Sequence, residues 1–225
     1  MSPSLEIQYL GHAGFRFNGS LSLVIDPFLE GNPKAPFGSR EVTGVDWVLA
    51  THDHADHWPD VIPIVLANDD GVCAQYELVG LAGEAGVKRL EPVGIGGTVE
   101  LAKGVRIHGV NAQHSAGIGQ AMGFVVEMDG HRIFHMGDTG LFGDMALIGE
   151  WLRPTIALVP CGDRFTMGVA SAVKALELCG AKTAFPMHYC TFPLIADNGA
   201  EFAAAAGHLA TIHIPAPGES LVVEA

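Results

Sequence analysis

The stretch Thr51-His52-Asp53-His54-Ala55-Asp56-His57-Trp58 puts three histidines and two aspartates into eight residues. The whole chain has 11 histidines in 225 residues, so the cluster needs a cause. It follows GVDWVLA (44–50), an apolar run that reads as a strand, and precedes WPDVIPIVLAN (58–68), which reads as a helix. His52 and His54 stand two residues apart, and on a helix such positions point away from each other. On a loop leaving a strand end they can converge on one ion, while a turn aims Asp56 and His57 at a neighbouring point. Four ligands of this mix suit borderline metals such as zinc. Two ions ~3.5–4 Å apart would let one loop serve both. The competing reading is a solvated helix start capped by Asp56. With this composition HxHxDH arises by chance on the order of one time in a thousand, so metal binding is the stronger reading.

Two ions need more ligands than one loop supplies. His114 follows the apolar run VRIHGVNAQ, Asp138 follows RIFHM, and His188 follows KTAFPM. A loop at a strand end can carry a ligand that the sheet holds rigidly. Taken singly, each has a plain structural reading: His114 as a turn cap, Asp138 as a helix start, His188 as a core histidine. Together they supply what the first loop lacks.

Outward from these residues the chain reads as one domain, 1–225, with no low-complexity linker and no repeat. Hydrophobic residues are 48% and charged residues 16%, which is a globular composition. The net charge is −13, and Lys and Arg never cluster beyond Lys88-Arg89. A binder of long nucleic acid needs a basic stripe, and a membrane-surface protein a polybasic one; neither is present. Four cysteines without a CxxC pair point to a reducing compartment. With no signal peptide and no apolar run near ~20 residues, the expected location is cytoplasmic. The sequence leaves open a homo-oligomer.

LEIQYLG, FRFNG and SLVIDPF read as strands, as do VCAQ, TIALVPC, KTAFPMH, TIHIP and SLVVEA. TVELAKGVRIHGVNA and GFVVEMDGHRIFHM read as hairpins; Asp129-Gly130 supplies the positive φ angles of a tight turn. YELVGLAGEAG, MALIGEWL, GVASAVKALELCG and AEFAAAAGHL read as helices, with Gly180 as a C-terminal cap. In the helix after the histidine loop, Pro59 suits an early position, whereas Pro63 would strain an interior one.

The ligand order HxHxDH, distant His, Asp, final His resembles that of the metallo-β-lactamase superfamily. YLGHAGF, VIDPFLEGNP, HMGDTGLFGDM, FTMG and PMHYCTFP resemble more closely a metal-dependent hydrolase group within it, similar to the ascorbate-6-phosphate lactonases. The resemblance runs from about residue 8 to 203. It implies an α+β fold, an αββα sandwich of two mixed β-sheets flanked by helices. It also implies that His52, His54 and His114 hold one metal, that Asp56, His57 and His188 hold a second, and that Asp138 bridges both. Asp26 matches a motif residue that orients the histidine loop. His12, in LGHAGF, reads as a substrate or supporting contact or as a turn histidine, and Tyr189 as a donor to a substrate oxygen or as a core residue. Cys190 stands where the group has Asn; a small buried residue is the stronger reading there, against a thiol approaching the metals or the substrate. Asp53 is expected to face away.

The function so implied is a metal-dependent hydrolase of a small-molecule ester, a lactone foremost, acting through hydroxide held between two divalent ions. Zinc is the default; manganese, iron or nickel are alternatives. Asp138 and Asp56 are the candidate catalytic carboxylates. The rivals are a phosphodiesterase or nuclease on the same site, and a non-catalytic, metal-stabilised binding protein.

Overall fold

Alternation along the early strands assigns their side chains to two different cores. In β3 (Ser22–Ile25), β4 (Trp47–Ala50) and β5 (Gly71–Ala74), Leu23, Ile25, Leu49 and Cys73 belong to one core. Val24, Val48, Ala50, Val72 and Ala74 belong to the other. Strands buried on both faces must be covered on both sides. The computed structural model describes residues 4–224.

Two seven-stranded sheets provide this cover. The first has the order β14 (Ser220–Glu224), β1 (Ser4–Gly11), β2 (Gly14–Asn18), β3, β4, β5, β6 (Arg89–Pro92). The second has the order β13 (Thr211–Ile212), β12 (Thr183–Met187), β11 (Ile156–Pro160), β10 (His131–His135), β9 (Met122–Met128), β8 (Val105–Asn111), β7 (Thr98–Ala102). Pairing is antiparallel from β14 to β3 and parallel from β3 to β6. The second sheet repeats the scheme, antiparallel from β7 to β10 and parallel from β10 to β13.

Helices α1 (Val61–Asn68) and α2 (Tyr76–Glu84) cover the outer face of the first sheet through Val61, Ile64, Val65, Leu78 and Ala82. On the second sheet lie α3 (Met145–Leu152), α4 (Val169–Cys179) and α5 (Gly199–Ala206), with Ala172, Ala175, Leu176 and Phe202 in its core. The expected αββα sandwich of two mixed sheets is the observed architecture. No helix among the described residues is long and apolar enough to cross a membrane.

Local chemistry behaves as read in most places. Asp129 (φ 52°) and Gly130 (φ 83°) form the β9–β10 turn, and Gly180 (φ 74°) ends α4 with its N–H on Leu176 O. Three elements differ. α1 begins only at Val61, so Pro59 lies outside it and Pro63 sits in the first turn, where its missing N–H has no helical partner to lose. β6 is a strand that the sequence does not announce, because Arg89, Leu90 and Pro92 are exposed at the sheet edge. TIHIP contributes only the two residues of β13.

Candidate metal centre

Each candidate site residue lies past the C-terminal end of a strand. Asp26 follows β3, the histidine loop follows β4, His114 follows β8, Asp138 follows β10 and His188 follows β12. The first sheet thus brings Asp26 and residues 52–57 to a crevice at its strand ends, and the second brings His114, Asp138 and His188. Within the loop, the N–H groups of His57 and Trp58 both donate to His54 O at 3.0 Å. That turn swings Asp56 and His57 back beside His52.

Three groups of potential ligand atoms each lie within 4.8 Å of one another: His52, His54 and His114; His12, Asp56, His57 and His188; and His52, His57 and Asp138. Asp138 sits centrally, its Oδ1 3.4 Å from His57 Nε2 and its Oδ2 2.9 Å from His188 Nε2 and 3.5 Å from His114 Nε2. Asp138, His52, His57 and His188 are all buried.

Asp26 organises this cluster from beneath. Its Oδ1 accepts from Thr51 N at 2.7 Å, and its Oδ2 accepts from Thr51 Oγ1 at 2.6 Å and from His57 Nδ1 at 2.8 Å. Because the Thr51 hydroxyl donates to Asp26, His52 Nδ1, 3.0 Å away, must donate to Thr51 Oγ1. One carboxylate therefore puts the proton of each neutral ring, His52 and His57, on Nδ1. Their Nε2 lone pairs are left facing the crevice, and both Nε2 atoms are buried without a hydrogen-bond partner among the described residues. Asp138 Oδ1 is likewise buried and unpartnered. Buried acceptors left without donors are costly unless a cation takes them up, so these residues fit metal ions.

Burial would lower His57, but Asp138, then Asp26, outweigh it and raise the imidazole well above its ordinary value, so an ion binding Nε2 must displace a proton there. Burial, reinforced by His57, holds His52 down to about 3, so its imidazole is neutral. Burial alone would raise Asp138, but His188 and His57 outweigh it and hold the carboxyl well below its ordinary value. Burial would lower His188, but Asp138 outweighs it and raises the imidazole to about 9. Backbone strain collects here too. Asp26 (φ 47°), His12 (φ 57°) and His188 (φ 54°) all occupy the left-handed region, uncommon for residues other than glycine. Gly137 (φ 64°) lets the Asp138 loop lie against β9; a Cβ there would stand 2.7 Å from Met122 O.

Above the cluster opens a pocket of ≈290 Å³ lined by His54, Asp56, His114, Ser115, Asp138, Phe165, His188 and Phe192. Asp53 faces away from it, accepting from Gly117 N at 2.7 Å, as expected. Tyr189 corrects its expectation as a substrate donor. Its ring is absent from the pocket and lies over Gly199 at the start of α5, packed on the core. The Cys190 thiol sits by Asp197 and outside the three ligand groups. His12 is 1% exposed and bonds Asp56 from the β1–β2 turn.

Sequence reasoning missed several supporting residues. Thr51, inside the quoted motif, relays Asp26 to His52. Thr191 and Phe192 follow PMHYC, and Phe165 opens FTMG. His135, given no chemistry from sequence, donates from Nε2 to Ala13 O at 2.9 Å and accepts from Gly137 N at 3.2 Å. It ties the β1–β2 turn to the Asp138 loop. The signal available for all of these was adjacency to a ligand motif.

Comparison with known proteins places this geometry. A family model described as "Beta-lactamase superfamily domain" matches residues 22–189. The chain is similar to a "UPF0173 metal-dependent hydrolase" of Archaeoglobus fulgidus, 42% identical, covering 96% of this chain and 98% of that one. A protein of the same description from Rubrobacter xylanophilus is 40% identical, covering 98% of each. Among solved structures, Igni18, a metallo hydrolase of the archaeon Ignicoccus hospitalis, superposes with a TM-score of 0.92 at 30% identity, covering 99% of each chain.

Proposed function

The chain belongs to the beta-lactamase superfamily and is a metal-dependent hydrolase, and we propose that it cleaves an ester-type bond of a small molecule, a lactone foremost, with two divalent ions. The observation that carries this reading is the set of buried, unpartnered acceptors, His52 Nε2, His57 Nε2 and Asp138 Oδ1, converging from two sheets. His52, His54 and His114 would hold one ion; Asp56, His57 and His188 would hold the other; Asp138 stands between them. Zinc suits this mix of imidazole and carboxylate, with manganese, iron and nickel as alternatives. Divalent ions at such a site polarise a substrate oxygen and acidify water to a pKa of ~7, making a nucleophile available near neutral pH.

The chain's own residues supply the rest. Asp138 is 2% exposed and reaches His114 of one ligand group and His57 and His188 of the other, so it is placed to relay the proton released in attack. Asp26 keeps the histidine loop in register without entering the pocket. Phe165 and Phe192 line the pocket and give a small substrate an apolar surface. Both sheets contribute to the site, which supports treating residues 1–225 as one catalytic domain.

A phosphodiesterase would share the same ligands. Among the described residues lining the pocket none is Lys or Arg, so only the ions would meet the negative charge of a phosphate. That favours an uncharged lactone over a phosphorylated one, whose phosphate would need a partner apart from the ions. A pH-release assay with the metal-loaded protein tests the reading, comparing lactone and phosphodiester panels. Lactone opening that a chelator abolishes is expected. Phosphodiester cleavage with lactones untouched would replace it.

A further inference from the structure

His12 lies outside the two triads of the proposed ions, yet it touches two members of the second. Its Nε2 is 3.0 Å from Asp56 Oδ2, and its Nδ1 is 2.9 Å from Thr191 Oγ1. Its carbonyl oxygen accepts from His188 N at 2.8 Å and from Tyr9 Oη at 3.1 Å. Its ring rests against that of His188, with centroids 4.0 Å apart. None of its hydrogen bonds reaches His52, His54 or His114. The residue stands at φ 57° on the turn joining β1 and β2, buried in the first sheet's hairpin, while His188 ends a strand of the second sheet.

From this geometry we infer that His12 is the positioning residue of the second ion alone, aiming Asp56 with its side chain and holding His188 with its backbone. The inference rests on the reading that Asp56, His57 and His188 hold that ion. Ionised Asp56 only accepts, so the proton of the neutral ring lies on Nε2; Nδ1 then accepts from the Thr191 hydroxyl 2.9 Å away, which is shared with Tyr189 O at 3.2 Å. With Oδ2 so engaged, Asp56 presents Oδ1, the oxygen that stands 3.9 Å from His57 Nε2. The Asp56 side chain is 22% exposed, so without His12 it is free to turn toward water. Removing such an outer partner typically lowers metal affinity roughly 10- to 100-fold.

The test is a cobalt(II) titration of metal-free wild type, His12→Asn and His12→Gln, following the number of equivalents bound and the affinity of each by visible absorption. Asn tolerates positive φ but is too short to reach Asp56; the Gln amide extends far enough to donate to it. Wild type is expected to take two equivalents. His12→Asn is expected to bind the first with unchanged affinity, which also reports its fold, and the second roughly 10- to 100-fold more weakly. His12→Gln recovers most of the loss. Thr191→Val, which frees Nδ1 and Tyr189 O but leaves the His12 carbonyl on His188 N, weakens the second ion in the same sense. Equal weakening of both ions in His12→Asn, or two wild-type affinities in either His12→Asn or Thr191→Val, overturns the proposal. So does a His12→Gln as weak as His12→Asn, which would leave the bond to Asp56 without a role. Fewer than two equivalents in wild type overturns the two-ion reading, and this inference with it.

Discussion

Asp26 Oδ2 accepts from His57 Nδ1 at 2.8 Å, and the same oxygen accepts the Thr51 hydroxyl at 2.6 Å. Through these two bonds a fully buried carboxylate sets the tautomers of His57 and, by way of Thr51, of His52. Both rings, when neutral, are left with Nε2 unprotonated and directed at the crevice. A strand end, the turn after it and two candidate ligands are thereby fixed by one residue that never meets the substrate.

Asp26→Asn reverses this arrangement. An amide N–H donating to His57 Nδ1 drives the ring proton to Nε2, the atom that faces the ions. Zinc affinity, measured in a chelator-buffered competition, is expected to fall roughly 10- to 100-fold. An unchanged affinity would show that the tautomer is set elsewhere.

Asp138→Ala is expected to keep the fold and lose turnover by roughly 10²- to 10⁴-fold, the range for a displaced proton acceptor. Far-ultraviolet dichroism, metal content and initial rates on one preparation check this. Wild-type turnover at normal metal content would remove Asp138 from the chemistry.

How much of this was legible beforehand follows from where the signals lie. The ligands could be placed because each stands just past a short apolar run, and an apolar run bounded by turn residues reads as a strand. Asp129-Gly130 and Gly180 were legible because only a few residue types accept their backbone angles. β6 was not, since an edge strand with exposed Arg89 and Leu90 lacks a buried face to produce alternation. The start of α1 was not, because Pro63 is acceptable in a first turn and the sequence does not say which turn is first. Tyr189 takes the core reading of its two, although its neighbour His188 joins the candidate ligands. At φ 54° the chain turns sharply after β12, and the next side chain goes to the core beside Gly199. Thr51, Thr191 and His12 acquire their roles only when two distant strands meet.

Metal removal is expected to lower the melting temperature as well as abolish turnover. An ion that binds only the native state at 100 times its Kd stabilises by about 2.7 kcal/mol. For a chain of this size each kcal/mol moves Tm by about 2–4 °C. Thermal melts with and without chelator measure the difference; identical melts would contradict a structural contribution of the ions.

Asp70 gives a pH dependence away from the site. It is buried before β5 with one carboxylate oxygen unpartnered, and burial, then Asp46, pushes its carboxyl up to about 6. The unfolded value is near ~3.9. A raised native pKa favours folding below the unfolded value, and that advantage is lost as pH rises through about 6. Asp70→Asn should therefore melt higher than wild type at pH 7–8, with the gain vanishing near pH 4. A gain equal at both pH values would refute the assignment.

The most direct measurement is a zinc titration of the metal-free protein, with bound equivalents and lactone hydrolysis followed on the same samples. Turnover is predicted to rise with occupancy and reach its plateau at two equivalents. Full turnover in protein shown by elemental analysis to carry no metal, or failure to bind any divalent ion, would contradict the account at its centre.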